Sequence, residues 1–366
     1  MAVAPAARRG RLALLVLSIL ALLAGMWAGL ERLGWTLPVF EPALAAAHGP
    51  LMVSGFLGTL ISLERAVAIQ EPWAYAAPLL SGLGGLALLG GMPAPVGPLL
   101  ITLGSLGLVG IFGRIMWRRL AWFTVVMEAG ALAWLMANVA WLAGAALPVV
   151  VSWLAGFLVL TIVGERLDLS RLVGRDRGRQ AVFIAIVAVY ALGLALVGAT
   201  GQRIAGIAMA GLAGWLWRYD IARRIVGRPG LPRFIAVGLL SGYAWLGVGG
   251  VLWMVFGGAL AGPRYDAMLH AVFLGFVFSM VFAHAPIILP AVLGRAVPYR
   301  AWFYSHIALL NLSLVARLAG DLGDWYSVRA WGGLLSVAAI LLFLLNTLSS
   351  AATARPARPH TQGPRS

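Results

Sequence analysis

Runs of about twenty predominantly apolar residues follow one another along almost the whole chain, each long enough to cross roughly 30 Å of hydrocarbon. Lipid offers no partner to open N–H and C=O groups, so such runs must close their own hydrogen bonds as helices. Composition agrees: 11% of the 366 residues are charged, against about 25% in an ordinary soluble domain. The expected fold class is therefore all-α, a polytopic transmembrane helix bundle. Twelve spans are expected, at 11–30, 45–63, 73–91, 96–116, 120–144, 147–164, 181–198, 203–219, 234–259, 266–290, 301–319 and 328–348. The first follows Arg8, Arg9 and Arg11 as a signal peptide would, but it is long and no small-residue cleavage site follows, so it is retained as a helix.

An even number of spans puts both termini on one side, and arginine decides which side that is. Of the 27 basic residues, all of them Arg, 22 fall on the side of the termini. The other five are Arg32, Arg203, Arg264, Arg317 and Arg329. Both termini are thus expected in the cytoplasm, with the chain a multi-pass protein of the cytoplasmic (inner) membrane. Residues 1–350 read as a single transmembrane helical domain and 351–366 as a disordered cytoplasmic tail, rich in Pro, Arg and small polar residues. A net charge of +15 would point to nucleic acid in a soluble protein. Here the arginines flank membrane spans, so the lipid bilayer is the expected partner and nucleic acid is not.

Missing residue types exclude several chemistries. Without Cys there are no disulfides, thiolate metal sites, Cys-held iron–sulfur clusters or C-x-x-C-H haem attachments. Without Lys there is no Walker A loop. No G-x-S-x-G occurs, and nothing else points to hydrolysis.

The histidines carry what chemistry remains. His360 lies in the tail, and the other four, His48, His270, His284 and His306, fall in expected helices. Ionisable residues within a bilayer are rare and usually face the bundle interior. The topology places His48 and His270 about one turn below the outer surface, on helices running the same way. His284 lies 14 residues further along, roughly 21 Å deeper at 1.5 Å per residue, at the level expected for His306. Two layers of two imidazoles result. A pair from facing helices is the usual way to hold b-type haem iron, and His also suits copper. Met52 and Met280 are each four residues from a His, on a shared helical face, and Met with His can ligate haem or Cu(I). The plainer reading is a hydrogen-bonded structural His and a Met that fills apolar space.

Other polar groups are open to two readings as well. Glu128, with Asn138 further along the same helix, reads as a proton relay or as an interhelical hydrogen bond, the latter preferred. Glu64 and Arg65 read as an interfacial pair, and Asn346 as interhelical glue. Pro286 and Pro290 are expected to kink or end the tenth span.

The stretch HAVFLGFVFSMVFAHAPIILPAVLGRAVPYRAWFYSHIALLNLSLVARLAG, His270 to Gly320, resembles the C-terminal part of NnrS-type proteins. These are twelve-helix membrane proteins bearing haem and copper and linked to the bacterial nitric-oxide response. HGPLMVSGFLGTLISLERAV, His48 to Val67, is similar to the His-bearing second helix of that family and of haem–copper oxidase main subunits. In those oxidases the second and tenth helices supply the axial ligands of the low-spin haem, and His48 and His270 occupy those helices. The chain lacks an HPEV-like motif, an adjacent His pair and the His-x-His-Glu signature of NnrS helix 2. The resemblance implies a haem b held by His48 and His270 and a second, copper-type metal site at His284, His306 and Met280. A small gas ligand or a redox partner would then be expected, in nitric-oxide or redox stress. The alternatives are a cofactor-free, proton-coupled transporter or channel lined by the His and Glu128, and a structural subunit whose polar residues lock helices together.

Overall fold

The computed structural model describes residues 5–38, 41–170, 176–294 and 296–353. Among them are twelve long helices and no strand. In chain order they are α1 (Pro5–Arg32), α2 (Ala45–Ile69), α3 (Pro72–Leu89), α4 (Val96–Arg118), α5 (Trp122–Leu142) and α6 (Leu147–Ser170). There follow α7 (Arg177–Ala195), α8 (Ala199–Tyr219), α9 (Leu231–Phe256), α10 (Gly262–Val292), α11 (Tyr304–Leu322) and α12 (Tyr326–Thr353). They match the twelve expected spans one for one. Ten are long and apolar enough to cross a membrane, while α8 and α11 are long enough but more polar. The protein is thus an all-α, polytopic membrane bundle. The end of the expected tail, 354–366, lies outside the described residues; 351–353 continue α12.

Short connections make neighbours in sequence neighbours in space. Helices α3, α4, α5 and α6 pack in succession, α7, α8 and α9 do the same, and α11 pairs with α12. Between these groups run α1, α2 and α10. Helix α1 lies against α2 through a Gly25-x-x-x-Gly29 face. A Cβ at Gly25 would stand 2.7 Å from Met52 Sδ, and one at Gly29 2.9 Å from His48 Cε1. Only glycine allows that approach.

Two helices are irregular in the same way. Leu51–Gly58 of α2 and Ala271–Phe278 of α10 are π-helical, each beginning just after a histidine. Wide turns release backbone carbonyls that lipid cannot satisfy. Neighbouring hydroxyls supply the bonds: Ser18 donates to the Phe56 carbonyl (3.1 Å) and Ser81 to that of Ser54 (2.7 Å). Pro286 and Pro290 do not stop α10, which runs through both. The helix ends beyond them at Gly294, whose positive φ suits a left-handed cap.

Candidate functional site

Helices α2 and α10 run in parallel register, so His48 meets His270 and Phe56 meets Phe278. The imidazole centroids are 6.3 Å apart with ring planes inclined by 27°, and the phenyl rings 5.9 Å apart. Each imidazole has its Nδ1 engaged: His48 Nδ1 donates to the Gly25 carbonyl (2.7 Å) and His270 Nδ1 to that of Asp266 (2.9 Å). A proton on Nδ1 fixes the tautomer and leaves Nε2 of each ring with its lone pair free. This outer hydrogen bond is the one metal-binding histidines generally make.

Asp266 extends the arrangement. Its Oδ1 is 3.2 Å from His270 Nδ1, and Arg317 grips the carboxylate with two bonds, Nε to Oδ2 at 2.8 Å and a terminal nitrogen to Oδ1 at 3.0 Å. Behind it, Arg329 Nε lies 2.9 Å from Oδ1 of the buried Asp321, without hydrogen-bond alignment. Two carboxyl and two guanidinium groups therefore cluster next to the His pair. None of the four was singled out from the sequence. Asp266 and His270 at i and i+4 were a readable signal; the partnership with Arg317, 51 residues away, was not.

The spacing of the pair is that of two imidazoles on one iron. Imidazole nitrogens sit about 2 Å from a bound metal, and about 1 Å more separates nitrogen from ring centre. Two rings on one iron thus have centroids about 6 Å apart, close to the 6.3 Å found. Among the described residues no group of three or more His, Asp or Glu converges on one metal position. A porphyrin supplies four nitrogens itself and needs two from the protein.

The second expected pair is not brought together. His306, on α11, is enclosed by Phe234, Phe282, Phe303 and Phe343, with centroids 4.8–5.9 Å away. Its Nδ1 accepts from the Asn346 amide at 3.2 Å, so the proton sits on Nε2. That nitrogen has no partner beyond the ring faces. Phe282 and His284 are two residues apart on α10 and point to nearly opposite sides, so His284 faces away from His306. His284 Nδ1 donates to the Met280 carbonyl at 2.8 Å, and Nε2 stands 3.4 Å from a terminal nitrogen of Arg166. Arg166 is itself paired with Asp220 through three contacts of 2.8–2.9 Å, with side chains 3% and 0% exposed. Met280 and His284 do share a wall, that of a cavity of about 400 Å³ bounded by α1, α2, α6, α10 and α12.

Of the other residues singled out, Arg65 pairs not only with Glu64 but also with Glu165 of α6. Asn138 binds Ser54 (3.4 Å) between α5 and α2, and Asn346 links α12 to α11, both as helix-to-helix bonds. Glu128 has one buried carboxyl oxygen without a partner and does not line the cavity.

Residues 11–352 match the model of a family described as a domain of unknown function, DUF8744. No curated protein matches the chain.

Proposed function

We propose that this chain, which belongs to the DUF8744 family, is a membrane haem protein in which His48 and His270 are the two axial ligands of a b-type haem. The observation that carries the reading is the geometry of the pair: centroids 6.3 Å apart, on facing helices, with both Nδ1 atoms tied to carbonyls. The Arg census puts the site near the outer face of a bundle with both termini in the cytoplasm. Such a haem supplies one-electron exchange between ferric and ferrous iron.

The residues around it divide the work. Gly25 and Asp266 hold the imidazoles in the ligating tautomer, and Asp266 places a negative charge against the ligand of a cationic centre. Arg317 keeps that carboxylate ionised and fixed. A haem held by both His48 and His270 would have no position left for a gas, so electron transfer is favoured over gas binding. The resemblance to NnrS-type proteins supports a role in nitric-oxide or redox stress. A cofactor-free transporter is less well supported, because Glu128 stands apart from the cavity. Copper is not part of the proposal, since His306 is turned away from His284.

An optical spectrum of the detergent-purified protein tests the reading. After expression with ample haem, a Soret band is expected that disappears in His48→Ala and in His270→Ala. A colourless wild-type protein free of iron would refute it.

A further inference from the structure

The cavity between α1, α2, α6, α10 and α12 has a composition that selects an occupant. Its body is apolar, formed by residues such as Leu57, Phe56, Phe278 and Met280. Its rim faces the bilayer: Leu12 and Val16 of α1 and Leu348 of α12 line it while being 48%, 48% and 66% exposed. A molecule dissolved in the membrane can therefore enter sideways between α1 and α12.

The ionisable lining gathers at the Arg-rich end, in Glu64, Glu165 and His284, with the hydroxyls of Thr161 and Thr347 also on the wall. His284 carries its proton on Nδ1, bonded to the Met280 carbonyl, so Nε2 offers a lone pair. Arg166 donates to it from the terminal nitrogen that does not bind Asp220, a long bond of 3.4 Å that a nearer hydroxyl can replace. Glu64 and Glu165 both bind Arg65 through Oε1, leaving Oε2 of each as a further acceptor. Two carboxylates against one guanidinium leave an excess of negative charge. The two carboxylates only accept hydrogen bonds, and their charge repels a phosphodiester.

We infer that this cavity binds a lipophilic hydroquinone, its two hydroxyls donating to His284 Nε2 and to the Glu64–Glu165 carboxylates, and its chain lying along the apolar wall towards α1 and α12. A flat ring with a donor on each edge and a long apolar tail matches the lining and the entrance. The oxidised quinone, which only accepts hydrogen bonds, has no donor for the two carboxylates. The inference is independent of what His48 and His270 hold.

The test is calorimetric titration of the full-length protein, in phosphatidylcholine nanodiscs, with decylubiquinol and with decylubiquinone. Saturable binding of the quinol is expected, at least tenfold tighter than that of the quinone. Glu165→Gln and His284→Gln should each weaken it several-fold. Leu57→Trp, which fills the cavity far from the polar end, should abolish it. Where a polar variant fails to fold, the wild-type quinol-to-quinone ratio and Leu57→Trp still decide. Equal affinity for the two forms, binding unaffected by Leu57→Trp, no saturable binding, or a co-purifying phospholipid that the quinol does not displace would overturn the inference.

Discussion

The buried pair of Arg166 and Asp220 lends itself to a quantitative test, because its energy can be worked from its surroundings. Arg166→Met removes three contacts of 2.8–2.9 Å and leaves a carboxylate with 0% side-chain exposure. Breaking one partner of a buried ion pair costs about 3–5 kcal/mol, nearly all of it the desolvation of the abandoned charge. Asp220 Oδ1 also accepts the Ala222 N–H at 2.8 Å, which survives the change and puts the cost at the lower end, about 3 kcal/mol. For a chain of this size that corresponds to a fall of about 4 °C in the thermal midpoint. Asp220→Asn alone strands Arg166 and should cost a similar amount. Arg166→Met with Asp220→Asn abandons no charge and keeps an acceptor for Ala222. The double variant should therefore recover most of the loss, with a coupling energy of about 2 kcal/mol or more. Thermal unfolding of the four proteins in one detergent measures the cycle. Additive losses, or a single-variant loss below about 1 kcal/mol, would refute the account of a charge pair held by mutual neutralisation.

Two further outcomes are expected. Gly29→Ala puts a Cβ 2.9 Å from His48 Cε1 and should cut the Soret absorbance per protein several-fold. Gly10→Ala, where nothing lies within 4 Å, should leave it intact, and equal spectra would contradict the packing argument. Glu71, in the turn before α3, is held below the usual glutamate range by the Trp73 indole N–H and then by Arg114 and Arg118. A depressed carboxyl stabilises above its unfolded pKa and loses that contribution as pH falls through the folded value. Glu71→Gln should therefore be less stable than wild type at neutral pH, with the gap closing on acidification and shrinking in salt. A pH-independent gap in thermal unfolding would count against it.

Hydropathy made the twelve helices readable, because each has to satisfy its backbone alone and is marked by its own residues. Depth was readable for the same reason: topology placed His48 level with His270 at 1.5 Å per residue. Azimuth was not. His284 and His306 share a level but face different partners, and rotation about a helix axis is set by packing that no local pattern records. Ion pairs across the bundle were equally hidden. Arg317 and Arg329 entered the sequence reading as two of five outer charges, yet they bind Asp266 and Asp321. Their removal from the outer total sharpens the asymmetry that orients the chain. Arg166 was likewise counted as a flanking charge and is buried.

The wide turns in α2 and α10 also set how tightly chain length is constrained. Each stands between a histidine and the cavity-lining half of its helix, so it fixes the angular phase of one half against the other. Losing one residue from Leu51–Gly58 or Ala271–Phe278 would let the turn relax towards an ordinary α-helix, and everything beyond would rotate by about 100°. His270 could then keep its place only if Met280 and His284 lost theirs. In these two stretches the number of residues is controlled as strictly as the identity of Ser54, Gly58 and Gly275, which bond to or pack against neighbouring helices.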